Sequence, residues 1–302
     1  MFDTILQTFA QLIEEGETYL FLLPIYLTLL GGERIAHALV NDRPWDNRDA
    51  ASNLFITGVI MALNMAVGHL VPMAVMVVTY AHFSLFTLGD GWIGWAIALL
   101  LYDLCWYVDH RIGHRVGLFW SMHHVHHSSE EFNTTVASRG FLVDTTLLSR
   151  PCFFLLPVLG VSPEHFLGIV IFTNIWGIAQ HTRMVRRLPG LDWLLATPSN
   201  HRVHHGRDPL YLDRNYGEVL MIWDHLFGTY QREQHEPNYG VVHPIGTYHP
   251  VRIQVAGVAA LQKKMRAACR WQDKLRCLHR PPEWQPEPAA QPSPALPDPS
   301  VP

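Results

Sequence analysis

Nine histidines fall in four places along this chain, and their spacing limits what it can fold into more than any other feature. They are His110 and His114; His123, His126 and His127; His181; and His201, His204 and His205. Separations of three and four residues put side chains on one helical face, so each cluster presents two or three ring nitrogens toward one point. A neutral imidazole is the commonest protein ligand for first-row transition metals. Burying that many imidazoles without partners would cost roughly 1–3 kcal/mol each. His124 points elsewhere on its helix and stays outside the set, and scattered histidines such as His37, His69, His82, His165 and His225 read as ordinary polar residues.

Catalytic zinc takes three protein ligands and structural zinc four, often with thiolates. Nine histidines exceed one ion's needs and suit two, each with about four nitrogens and an open position. An all-nitrogen shell able to support oxygen chemistry favours iron over magnesium or calcium, although spacing alone leaves two zinc ions open. The four cysteines, Cys105, Cys152, Cys269 and Cys277, are scattered and suggest neither a disulfide framework nor thiolate ligation.

The surroundings add detail. An apolar helix from Trp92 runs into His110 and His114, with Asp103 and Tyr107 on the same face, placed to orient an imidazole or a bound ligand. The third cluster follows Pro198, Ser199 and Asn200, a helix start with Ser199 or Asn200 as cap. Glu130 and Glu131 are candidates for hydrogen bonds to ligand histidines, whereas Asp213, Asn215 and Asp224 read as turn and cap residues.

Mean hydropathy is barely positive, but it averages unlike parts. Residues 19–30, 53–86 and 92–108 are long apolar stretches, and 182–250 is polar and rich in turns. The predicted fold is all-α: a polytopic membrane helical bundle with a histidine-rich helical catalytic portion on the cytoplasmic side. Residues 1–109 form the transmembrane region, its first segment retained as an anchor because the acidic N-terminus lacks a signal peptide's basic region. Residues 110–250 form the di-metal catalytic region, in which 141–180 is a re-entrant or interfacial apolar pair, broken at Gly160–Pro163. Residues 251–280 carry eight Lys or Arg against Asp273 alone and predict a basic amphipathic helix, and 281–302, with nine prolines, a disordered tail. Arg34, Arg43 and Arg48 pull the first loop toward the cytoplasm, and Arg111 and Arg115 pull the first histidine cluster there too. Three full crossings between those points would separate them, so one intervening segment is expected not to span.

The histidine motifs after apolar helices resemble the fatty acid hydroxylase and sterol desaturase superfamily of integral-membrane di-iron oxygenases. The neighbouring text is similar to its alkylglycerol monooxygenase branch: HHVHHSSEEFN at His123–Asn133, TPSNHRVHHGRD at Thr197–Asp208, NYGEVLMIWDHLFGTY at Asn215–Tyr230 and YGVVHPI at Tyr239–Ile245. The resemblance runs from about Leu99 to Val255. It implies two iron ions held by the nine histidines beneath a lipid-accessible cavity. Arg115 departs from the ether-cleaving branch, where an acid commonly stands.

The function expected is hydroxylation of a C–H bond in a fatty acyl, sterol or ether lipid, using O2 and electrons from outside the chain. The resemblance suggests a reduced pterin as donor, with an electron-carrier protein as the other choice. The partners expected are a membrane lipid and a redox partner, with no nucleic acid. A lipid desaturase would share the scaffold. A membrane zinc hydrolase would carry His-Glu-x-x-His, which is absent. A metal transporter would put its ligands inside spanning helices.

Overall fold

The computed structural model describes residues 18–40, 44–63, 70–142 and 150–286. Those residues are helical without a strand, and the two isolated bridges, Leu195 with Leu220 and Gly206 with Tyr239, only pin loops. The longer helices are α1 (Thr18–Val40), α2 (Asn47–Leu63), α3 (Leu70–Phe83), α4 (Trp92–Arg115), α5 (Gly117–His127), α6 (Pro163–Gln180), α7 (Pro198–His204), α8 (Pro250–Ala267) and α9 (Trp271–His279).

Among the described residues one helix, α4, is long and apolar enough to cross a membrane. The apolar stretch 53–86 is divided between α2 and α3, and its join at 64–69 lies outside the described residues. The break expected at 160–163 is present: single turns occupy 151–158, Gly160 turns the chain at φ +93°, and Ser162 caps α6 by accepting from the His165 amide. The basic stretch 251–280 forms two helices rather than one, because α8 ends at Ala267 and α9 starts at Trp271. Of the proline-rich tail, 287–302 lies outside the described residues, whereas Glu283 pairs with Arg115 at 2.9 Å and Pro282 accepts from Lys264.

Two apolar cores support the histidine helices. The larger joins α3, α4 and α6 through Met76, Ala98, Tyr102, Phe153, Leu156 and Ile169. The smaller places Val125 of α5 against Ile56 of α2 and Ile253 of α8. Two glycines set the position of α5. A Cβ at Gly117 would stand 2.2 Å from the Cys277 carbonyl oxygen, and one at Gly257 would stand 2.2 Å from the Ser121 carbonyl oxygen. The α4–α5 corner and the α5–α8 crossing therefore need a residue without a side chain.

Candidate metal centre

The nine histidines converge, in two groups that cut across the sequence clusters. His110, His114, His123, His127 and His204 form one, and His126, His181, His201 and His205 the other; within each, one nitrogen per residue lies within 4.8 Å of all the rest. Helical geometry explains the division. Residues four apart differ by about 40° around a helix and adjacent residues by about 100°. His123 and His127 therefore aim together while His126 turns to the second group, and His201 and His205 aim together while His204 turns to the first. The expectation of one point per cluster is corrected accordingly: α5 and α7 each serve both groups. His124 stands outside both, its ring edge-on to Trp120 with the centroids 5.7 Å apart.

Hydrogen bonds select the tautomer. The Nδ1–H of His110 donates to the Tyr216 carbonyl at 2.9 Å, that of His126 to Arg139 at 3.0 Å, that of His181 to Gly177 at 2.7 Å and that of His204 to Arg214 at 2.9 Å. With the proton on Nδ1, Nε2 carries a lone pair turned into the group. There the Nε2 atoms of His110 and His123 are 3.1 Å apart, those of His123 and His127 3.1 Å, those of His114 and His127 3.2 Å, those of His181 and His201 2.9 Å, and those of His201 and His205 3.2 Å. The buried Nε2 of His204 has no hydrogen-bond partner.

Lone pairs facing one another at this distance repel, and a cation between them relieves that repulsion. For metal–nitrogen bonds of about 2.0–2.1 Å, ligands at right angles stand about 2.8–3.0 Å apart and tetrahedral ones about 3.3–3.4 Å. Three of the five edges lie nearer the first value. The residues present thus fit metal ions, and five converging imidazoles exceed a tetrahedral shell.

The second layer comes mainly from one loop. Asp213 and Asn215 adopt left-handed backbone angles, φ +58° and +56°, which aspartate and asparagine tolerate better than most residues. This turn aims the carbonyls of Arg214 and Tyr216 and the carboxylate of Asp213, 3.5 Å from His114 Nδ1, at three rings of the first group. Burial raises the Asp213 carboxyl, but its hydrogen bond from His114 and the charges of His114 and Arg115 hold it at about 2. Arg115, the departure noted above, is thereby accounted for: it pairs with Asp213 and with Glu283. The sequence reading assigned Asp213 only to a turn; the structure places it in one and also brings its carboxylate beside His114.

Asp103 and Tyr107 are placed behind this loop, against no imidazole. Asp103 accepts from the Val219 and Leu220 amides and the Trp223 indole at 2.9–3.1 Å. The Tyr107 hydroxyl pairs with Thr229 at 2.9 Å, and its ring meets Tyr216 edge-on at 5.9 Å. Both residues hold the loop that holds the histidines. Asn200 and Ser199 do not cap α7, since Thr197 occupies that position; Asn200 donates to the Asp192 and Leu195 carbonyls, and Ser199 to Glu233. Glu130 and Glu131 lie near arginines, 3.8 Å from Arg207 and 3.7 Å from Arg183.

Two buried arginines complete the frame. Arg139 donates to the Val125 carbonyl, Asp49, Asn53 and Ser128, fixing the end of α5 beside His126. Arg202 grips Glu233 with two nitrogens at 2.7 Å and donates to the Thr182 and Val185 carbonyls, tying α7 to the segment after His181. Burial, then mutual repulsion among the rings, holds His123, His127, His201 and His205 well below the usual histidine range; burial and the nearby His114 do the same to His204. These rings are neutral at pH 7 and ready to ligate.

Residues 95–229 match the family model described as fatty acid hydroxylase, a span that contains all nine histidines. Over that span the chain is similar to the fatty acid hydroxylase family. It is similar to the alkylglycerol monooxygenase of Xenopus tropicalis, 34% identical over 195 residues covering 64% of this chain and 43% of the relative. It is also similar to that of Homo sapiens, 29% identical over 282 residues, covering 93% of this chain and 63% of the relative. An ornithine lipid hydroxylase of Rhizobium tropici is 29% identical over 204 residues, 63% of this chain and 60% of the relative. The chain thus spans 43% and 63% of the two alkylglycerol monooxygenases. No solved structure matches.

Proposed function

We propose that this chain is a multi-pass membrane oxygenase that holds two iron ions on its nine histidines and hydroxylates a C–H bond of a fatty acyl, sterol or ether lipid. The observation that carries the reading is the pair of adjacent imidazole groups, with several Nδ1 protons committed to carbonyls and Nε2 atoms turned inward. His110, His114, His123, His127 and His204 would hold one ion, and His126, His181, His201 and His205 the other. Five nitrogens in one group favour iron over zinc, which seldom takes more than four.

When bound, the irons supply reductive activation of O2: C–H, O2, two electrons and two protons give C–OH and water. The chain's own contribution is geometric. The 213–216 loop and Arg139 hold the rings in one tautomer, and the neutral buried histidines exclude competing protons. Electrons come from outside, from a reduced pterin or a carrier protein. Where the carbon attacked bears an ether oxygen, the hydroxylated product is a hemiacetal that collapses to an aldehyde and an alcohol.

Membrane residence is supported by apolar side chains left exposed on α1 to α4, among them Leu39, Phe55, Val78, Trp92 and Ile93. Arginine placement favours the cytoplasmic side for the histidines.

The test is product mass after incubating the full chain in lipid nanodiscs with ferrous iron, reductant and labelled O2. The reading predicts one labelled oxygen gained. His204→Ala should abolish turnover while expression persists. Loss of two hydrogens would instead identify a desaturase, and oxygen-independent turnover with zinc would overturn the proposal.

A further inference from the structure

Between α4 and α5 lies a pocket whose lining includes Trp106, Asp109, His110, Met122, His123 and Arg150. Its inner wall is the His110–His123 edge of the five-imidazole group, and these two rings are more open to the surface than His114, His127 and His204. A molecule in the pocket therefore reaches that edge. At the pocket wall Arg150 lies 3.9 Å over the Trp106 ring and 5.5 Å over that of Phe153.

Arg150 has no carboxylate within ion-pair distance among the described residues, its charge acting only at longer range on Asp109 and Glu218. It is half-buried, and among the described residues its guanidinium has no ion pair and no hydrogen bond. The carboxylate sharing the pocket, Asp109, is engaged: both oxygens accept from the Cys152 amide, at 3.0 and 3.1 Å. Of the other half-buried and buried arginines, Arg115, Arg139, Arg183, Arg202 and Arg207 have carboxylate partners, and Arg111 and Arg214 donate to the Tyr107 hydroxyl and the Gly228 carbonyl. A planar five-donor cation stacked on indole, with its edge free, is built to take an anion such as phosphate through paired hydrogen bonds. The pocket beyond it offers aromatic and thioether surface from Trp106, Phe119 and Met122 to an apolar chain.

We propose that Arg150 is the headgroup-recognition residue of this site, binding the anionic, phosphate-type headgroup of a lipid whose adjoining carbons lie along the His110–His123 edge. This rests on the lipid-oxygenase reading, and it adds that anionic lipids are preferred over neutral ones and that attack falls close to the headgroup.

The experiment measures binding, not turnover. Purified full-length chain in uncharged detergent is dialysed to equilibrium against radiolabelled hexadecyl phosphate or hexadecyl glycerol ether. The wild-type chain should bind the phosphate more tightly. Arg150→Gln should weaken phosphate binding about tenfold or more and leave the neutral ether unchanged. Arg150→Lys, which keeps the charge and loses the fork, should retain part of the preference and serves if the glutamine variant does not fold. Equal affinities in the wild-type chain, or a preference unchanged in Arg150→Gln, would overturn the assignment. Anion preference in a chain that oxygenates no lipid would defeat the functional reading alone, and turnover without anion preference would defeat this one alone.

Discussion

At the residue scale, leverage on the candidate centre extends beyond the nine histidines to a residue that supports one of them. Asp213 places its carboxylate 3.5 Å from His114 Nδ1 and shares its charge with Arg115. Partners of this kind orient a ligand ring and raise its basicity, and their loss commonly costs 10–100-fold in metal affinity or activity. Asp213→Asn should therefore weaken ferrous ion retention by about 10–100-fold, read from the rate of iron loss to a chelator. An unchanged rate would show that the contact is incidental. A pH dependence follows from the histidines themselves. His123, His127, His201, His204 and His205 are held well below their usual range by burial first and by neighbouring rings second. The unfolded chain takes up those protons near pH 6.5, about the free histidine value, and the metal-free fold does not. The stability they contribute is present above about pH 6.5 and is lost as pH falls toward the depressed folded values. Urea midpoints of metal-free protein should drop between pH 7.5 and 5.5, and a constant midpoint would contradict the burial argument. At this scale the spacing of histidines made the ligand candidates legible. The carbonyls of Arg139, Gly177, Arg214 and Tyr216 were not legible, because any residue type supplies a carbonyl and only the backbone path decides where it points.

At the scale of elements, α5 is the piece whose placement governs both groups, because it carries His123 and His127 toward one and His126 toward the other. Its position depends on close backbone approach at Gly257, where a Cβ would stand 2.2 Å from the Ser121 carbonyl oxygen. Backbone cannot yield as a side chain can, so Gly257→Ala should cost roughly 1–3 kcal/mol and lower the thermal midpoint. Gly58→Ala in α2, where a Cβ meets nothing within 4 Å, should be neutral or slightly stabilising through the lower cost of fixing alanine in a helix. Equal midpoints for the two variants would remove the crossing from the account. The helices bearing the histidines were legible from apolar runs and i, i+4 spacing. Their sharing between two centres was open to the same arithmetic, since adjacent residues diverge by about 100°, yet it becomes visible only when two helices face each other. The split of the basic segment at 268–270 had no such signal: no proline or glycine marks it, and α9 turns to pack against α5 by tertiary contact.

For the whole molecule, the arrangement joins a helical frame with exposed apolar surface to a histidine interior in which buried polar side chains, two arginines among them, help to fix the loops. Arg139 links α2 to the end of α5, and Arg202 links α7 to the chain beyond His181. The all-helical class was legible from the length of the apolar stretches and the helical spacing of the histidines. The number of membrane-spanning segments was less so, because the described parts of α2 and α3 are shorter than a full span and their burial depends on neighbours. The central claim is that two metal ions sit side by side on these imidazoles, and iron counting by mass spectrometry of the full chain, loaded anaerobically with ferrous iron and freed of loose metal, tests it most directly. Two irons per chain are expected, falling to one or fewer in a His201→Ala/His205→Ala double variant that removes half of the second group. One iron in the wild-type chain, or two retained in the double variant, would contradict it.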